Sequence, residues 1–119
     1  MSTLIRGTGS ALPERVISNA DLEKMVETND EWIVTRTGIR ERRMLAPEEA
    51  TSDIVTRAAQ RALEQAGLAP EDLDLIVVAT CTPDTFTPAT ANHVHRNLCR
   101  GSTIPAFDVN AACSGFVYG

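Results

Sequence analysis

The stretch Thr51–Ala79, TSDIVTRAAQRALEQAGLAPEDLDLIVVA, decides the architecture. Within it Ile54, Val55, Ala58, Ala59, Ala62, Leu63 and Ala66 recur at helical spacing, while Arg57, Gln60, Arg61 and Glu64 point the other way. Thr51 or Ser52 is placed to cap this helix, and Gly67 and Pro70 are placed to close it. The alanine-rich stripe suits close packing against a sheet. Leu75–Ala79 follows as an uninterrupted apolar run, the pattern of a strand covered on both faces. A strand on either side of an amphipathic helix implies an α/β fold, with helices packed on a mixed, largely buried sheet.

C-terminal to this stretch, Thr82–Thr87 reads as a polar loop with Pro83 and Phe86. Thr87 then caps, and Pro88 begins, a helix reaching about Leu98 that Gly101 ends. Ile104–Val109 reads as a strand. Small residues turn the backbone after it, and Cys113 falls where a further helix begins. A thiol there faces unpaired N–H groups and the positive end of a helix dipole, which favour the nucleophilic thiolate. A small buried hydrophobe is the other reading of a free cysteine, and placement alone leaves both open. His95 and Cys99 stand at i, i+4, but two ligands without a third make no metal site. His93 and His95 read as ordinary helix-surface histidines, and no metal is expected.

N-terminal to it, Leu4–Gly9 reads as an opening strand in which Gly7 and Gly9 permit close backbone approach. Gly–x–Gly without a third glycine is weak evidence for a nucleotide loop. Pro13 marks a turn, and Asn19 caps a helix through Asp21, Leu22, Met25 and Val26. Asn29 or Asp30 starts a second short helix, Glu31–Arg36, which Gly38 ends. Trp32 and Arg36 are four apart and share a face. Indole and guanidinium could sandwich a planar group such as adenine, or simply form an intrahelical cation–π pair. Ile39–Leu45 is extended or a loop. Arg36, Arg40, Arg42 and Arg43 could bind phosphate, or form a solvated face offset by Glu41, Glu48 and Glu49.

The chain has 119 residues, enough for one domain, and a net charge of −5. That charge argues against general affinity for nucleic acid or an anionic membrane. No apolar run approaches the roughly 20 residues of a membrane span, and the N-terminus lacks a secretory apolar core. Three cysteines, an odd number without CxxC spacing, point to a reduced, cytoplasmic setting. Repeats, low-complexity tracts and linkers are absent from the sequence. Gly119 comes barely two turns into the helix expected to carry Cys113, so a fragment of a longer polypeptide is expected.

Three motifs in this order and spacing resemble the N-terminal part of β-ketoacyl-acyl-carrier-protein synthase III, the initiating condensing enzyme of type II fatty-acid synthesis. They are Asn19–Leu22; Asp30–Ile33 running into Arg36–Arg42; and Asp108–Phe116. The resemblance covers residues 1–119 but only about a third of a usual family member. It implies a thiolase-like layered fold, of which this is most of the N-terminal half. It implies that Cys113 accepts a short acyl group from acyl-coenzyme A and then meets malonyl-acyl carrier protein, whose decarboxylation supplies the attacking carbanion. The coenzyme A thioester is a substrate, and no resident cofactor is implied. Trp32 matches the residue that stacks on the adenine, Arg36 its guanidinium partner, and Thr28 a neighbouring contact. The loop with Phe86 and Thr87 matches one that crosses a homodimer interface toward the partner's acyl pocket. Phe86 sits one residue further from Pro88 than the family pattern has it, which bears on acyl-chain preference. The family's histidine and asparagine partners belong to the C-terminal half, and neither His93 nor His95 matches that histidine. The 119 residues alone are therefore expected to condense nothing. Other readings are a synthase III-like enzyme of secondary metabolism, a non-catalytic module binding coenzyme A or carrier protein, and an inactive fragment exposing apolar surface.

Overall fold

The computed structural model describes residues 2–119. They form two compact units, one of residues Leu12–Glu49 and one of the N-terminal residues up to Ala11 with Ala50–Gly119.

In the smaller unit, strand β1 (Arg15–Ser18) pairs antiparallel with β2 (Glu41–Met44), Arg15 opposite Met44 and Ser18 opposite Glu41. Helices α1 (Asn19–Leu22) and α2 (Asp30–Thr37) lie between them in sequence. The stretch expected to be extended or a loop thus contains a strand, and its partner β1 was not anticipated. Asn19 does not cap α1. Ser18 does, its hydroxyl accepting from Asp21 N while the Asp21 carboxylate accepts from Ser18 N and Oγ. The regular helix stops at Leu22, and Met25 and Val26 remain exposed. Asn19 is instead buried and saturated with hydrogen bonds. Its amide donates to Asp30 Oδ1 (2.7 Å) and Ile39 O (2.9 Å), and its oxygen accepts from Arg42 Nη2 (2.8 Å). A buried amide so satisfied ties both helices to β2. Gly38 closes α2 in the left-handed region, at φ 71°, as expected.

In the larger unit β3 (Ile76–Ala79) and β4 (Ala106–Val109) pair in parallel, Ile76 opposite Ala106. Helices α3 (Thr51–Ala66), α4 (Thr90–Leu98) and α5 (Gly115–Tyr118) accompany them. The core is Ile76, Val78, Ala91, Val94 and Cys99, with Val55, Leu73 and Leu98 packed around it. Ile76 and Val78 are buried, whereas Val77 is half-buried and Leu75 exposed, so β3 alternates instead of being covered on both faces.

Residues 4–9 form no strand. They run across α3, where a Cβ on Gly7 would come within 2.5 Å of the Ala62 carbonyl, and one on Gly9 would collide with the Ala58 carbonyl. The close approach expected of these glycines is real, but its partner is the alanine face of a helix. Arg61, on the same helix, donates to the Ser10 carbonyl.

Both long helices take their caps from elsewhere in the chain. The residue preceding α3 is Ala50, not Thr51 or Ser52, and Ser52 N donates to Asp84 Oδ1 at 3.0 Å. Thr51 Oγ1 donates to the Thr82 carbonyl. Helix α4 begins at Thr90, beyond Thr87 and Pro88, so neither serves as expected. Its first free N–H groups, of Thr90 and Ala91, donate to the two oxygens of Asp108 on β4, at 2.8 and 2.7 Å. A carboxylate at the positive end of a helix is favourable in both hydrogen bonding and charge.

Asp108→Ala should therefore lower stability by about 2 kcal/mol, read as a reduced urea midpoint with unchanged slope. A second expectation concerns Asp21, whose hydrogen bonds from Ser18, assisted by Lys24, hold its carboxyl at about 2, below the usual 3.8. A depressed carboxyl stabilises the fold above its unfolded value and ceases to as pH falls through the folded one. An NMR titration should place the Asp21 midpoint at about 2 and return it toward 3.8 in Ser18→Ala.

Candidate active site

Cys113 lies four residues beyond the end of β4, in a 3₁₀ turn (Ala112–Ser114) that leads directly into α5. The turn is made by Ala112 at φ 45°, the one non-glycine residue with positive φ among the described residues. For alanine that conformation costs on the order of 1 kcal/mol and persists only where packing fixes it. The packing is visible one turn on. Gly115 is buried against β3, where a Cβ would stand 3.2 Å from the Ala79 Cβ. Two small residues in contact let α5 settle on the strand, and the strained turn before it lifts Cys113 out. The Cys113 thiol is free and exposed in this chain. It stands two residues before α5, a single helical turn.

The other two cysteines are also free, Cys81 exposed and Cys99 buried. Burial pushes the Cys99 thiol up, and its sulfur donates to the Pro70 carbonyl. His93 and His95 are not plain surface residues, because each buries an Nε2 that has no hydrogen-bond partner. Among the described residues no group of three or more His, Cys, Asp or Glu side chains could hold a metal ion.

The loop between β3 and α4 is pinned at both ends. Asp84 N donates to Thr90 Oγ1, Thr82 N to Thr80 Oγ1, and Thr85 Oγ1 to the Pro88 carbonyl. Its apex presents Phe86 at 99% exposure, with Thr87 beside it, also exposed.

In the smaller unit, Trp32 and Arg36 share one face of α2, and the Arg36 guanidinium lies over the indole at 4.5 Å from its centroid. The intrahelical cation–π pair therefore forms. Trp32 remains 52% exposed, and with Glu27, Thr28 and Asn29 it lines a shallow pocket of about 240 Å³. Thr28 and Trp32 thus line one pocket, with Arg36 on the indole. The arginine cluster divides. Arg42 is consumed by Asn19 and the Ile17 carbonyl, and Arg43 by the carbonyls of Pro13 and Glu14, while the Arg40 side chain is exposed.

No protein-family model matches the chain. It is 59% identical over 115 residues to a β-ketoacyl-[acyl-carrier-protein] synthase III of Caldanaerobacter subterraneus, covering 97% of this chain and 34% of that protein. The chain belongs with the β-ketoacyl-acyl-carrier-protein synthase III family. It spans about a third of the length of the curated relatives it matches. The crystal structure of the synthase III of Aquifex aeolicus superposes with TM-score 0.89 at 51% identity, over 98% of this chain and 37% of that one. The priming β-ketosynthase of the R1128 polyketide pathway gives 0.86 at 38% identity, over 96% and 34%. The fold is accordingly the thiolase-like α/β fold in its N-terminal part.

Asn19 and Asp108 were missed as determinants of the site. Asn19 sits beside a capping signal that disguised it, and Asp108 caps a helix that begins eighteen positions upstream. An acid beside a predicted strand end, with no local cap before Thr90, is the signal that could have revealed the second. Because exposed cation–π pairs contribute only about 0.5 kcal/mol, Arg36→Ala should shift the thermal midpoint by no more than a few degrees. Its tryptophan emission should nonetheless change, since the cation leaves the indole face.

Proposed function

We propose that this chain carries the nucleophile and the nucleotide-recognition surface of an initiating condensing enzyme. In this reading the Cys113 thiolate attacks the carbonyl carbon of a short acyl-coenzyme A. A carbon–sulfur bond to the enzyme forms, the bond to the coenzyme A sulfur breaks, and coenzyme A leaves as the thiolate. The acyl-enzyme then receives the carbanion released when malonyl-acyl carrier protein loses carbon dioxide, giving a 3-oxoacyl-acyl carrier protein. The observation that carries the reading is an exposed thiol on a strained strand-to-helix turn, in a chain that matches synthase III relatives over nearly its whole length.

Recognition of coenzyme A falls to the smaller unit. Adenine inserts against the exposed indole of Trp32, with the Arg36 guanidinium moving to its opposite face and Thr28 at the pocket wall. An indole already half exposed requires little desolvation to accept the ring. Phe86, wholly exposed at the apex of a pinned loop, is assigned to the acyl pocket of a second copy in a homodimer. The histidine and asparagine that assist decarboxylation come from sequence corresponding to the C-terminal part of synthase III, so these 119 residues alone carry out no condensation.

A second reading, priming of a secondary-metabolite pathway, is favoured by the likeness to the R1128 priming β-ketosynthase. A comparison of acyl-coenzyme A starters separates the two. A module that only binds coenzyme A is separated by the thiol itself. On incubation with acetyl-coenzyme A, the intact mass should rise by one acetyl group, and the rise should vanish in Cys113→Ala. Trp32→Ala should weaken coenzyme A binding about tenfold by calorimetry, the loss of one stacking contact, while Cys113→Ala leaves binding unchanged. Acylation that survives Cys113→Ala would refute the assignment.

A further inference from the structure

Cys81 is used by nothing described so far, and its position relative to Cys113 is set by the sheet. Strands β3 and β4 run in parallel with Ala79 opposite Val109, and the pairing continues through Thr80 N to the Val109 carbonyl at 3.1 Å. Both strands therefore leave the sheet at the same rim. Cys81 follows Ala79 by two residues. Cys113 precedes Gly115 by two, and Gly115 packs on Ala79 itself. The chain leaves β4 at that rim and returns over Ala79, so the turn bearing Cys113 passes above the rim from which Cys81 emerges. Both thiols are free and both are exposed. Cys99, the third thiol, is buried in the core and donates to Pro70.

From this juxtaposition we propose that Cys81 and Cys113 form a reversible redox pair, in which Cys81 traps an oxidised Cys113 as an intramolecular disulfide. The oxidant is a peroxide. The Cys113 thiolate attacks one peroxide oxygen, a sulfur–oxygen bond forms, the oxygen–oxygen bond breaks, and the departing hydroxide takes the thiol proton as water. The Cys81 thiolate then attacks the sulfenic sulfur. A sulfur–sulfur bond forms, the sulfur–oxygen bond breaks, and a second hydroxide leaves as water with the Cys81 proton. Two thiols lose two electrons and two protons, and one peroxide is reduced to two waters. The consequence is protective, since a disulfide is returned by thiols whereas a sulfinic acid is not. Disulfides require Cα atoms roughly 4.4–6.8 Å apart, so the cross-link forms only where the two loops bring Cys81 and Cys113 to that separation. The proposal stands whether or not Cys113 transfers acyl groups.

The test is mass spectrometry of the reduced chain after mild hydrogen peroxide. The expected product is lighter by one pair of hydrogens, yields a cross-linked peptide joining Cys81 to Cys113, leaves Cys99 as a thiol, and reverts with dithiothreitol. In Cys81→Ser, with its circular dichroism unchanged, Cys113 should instead accumulate sulfinic acid, about tenfold more than in the parent. In urea the preference should reverse, because unfolded chains close the shorter loops Cys81–Cys99 and Cys99–Cys113 more readily. A folded chain that pairs Cys99, pairs only between molecules, or carries sulfinic acid at Cys113 beside a free Cys81 thiol overturns the proposal.

Discussion

The Asp108 carboxylate is the contact on which the larger unit depends. Its two oxygens accept the first two free N–H groups of α4, and its backbone belongs to β4. One side chain therefore fixes where the helix begins against the strand that delivers the nucleophile. Ionised acceptors make shorter and stronger hydrogen bonds than neutral ones, and this acceptor is half-buried, so water competes poorly for it. Asp84 performs the same service for α3 through Ser52 N, while its own N–H is held by Thr90 Oγ1. The two caps thus share Thr90. Displacing either acid would loosen both helix starts together with the loop that presents Phe86.

The smaller unit is organised by a different force. Its buried apolar residues are only Ile17 and Ile33, too few to hold two strands and two helices together. Asn19 fills the gap. Its amide joins Asp30 at the start of α2 and Ile39 just after it, while Arg42 of β2 closes the network. A buried polar network of this kind is all or nothing, since removing one member leaves the others desolvated and unpaired. The consequence for recognition is rigidity where it is needed. Helix α2 is anchored at both ends, so its exposed face offers Trp32 and Arg36 at a fixed separation.

Much of this was legible in the chain because the relevant physics is local. Period 3.6 in Thr51–Ala66, the apolar run at Leu75–Ala79, and Asn29 or Asp30 with Gly38 bracketing α2 all act within a turn or two. The failures share the opposite property. Residues 4–9 carry a strand's composition, yet the structure spends their glycines on the backbone of α3. Strand β1 and its partner β2 are four residues each, with arginines and a glutamate where alternation would be sought. Thr87 and Pro88 supply good local capping chemistry that is overruled by an acid from β4. Asn19 reads as a cap because asparagine caps well, yet the Ser18–Asp21 capping box beside it takes that role, and the burial this frees Asn19 for depends on Asp30, Ile39 and Arg42 further along the chain. The exposure of Cys113 could be anticipated only as one of two outcomes, since it depends on how Gly115 meets Ala79, residues far apart in sequence.

That last contact also explains why the turn bearing the thiol is built from the smallest residues. A Cβ at position 115 would stand 3.2 Å from the Ala79 Cβ, so α5 or the strand would have to give by a few tenths of an ångström, and a side chain larger than alanine at position 79 would ask for more. The backbone between Val109 and Gly115 would then have slack, and Ala112 could relax from positive φ to an ordinary conformation. Relaxation would gain the order of 1 kcal/mol locally and surrender the fixed projection of Cys113. The strain is thus held in place by close packing behind it, and packing of that kind requires residues with almost nothing to pack. A run of alanines and glycines around a cysteine is uninformative as hydrophobic patterning, yet it is what an outward-facing thiol on a rigid turn requires. Its meaning lies in the steric limit set by the neighbouring strand.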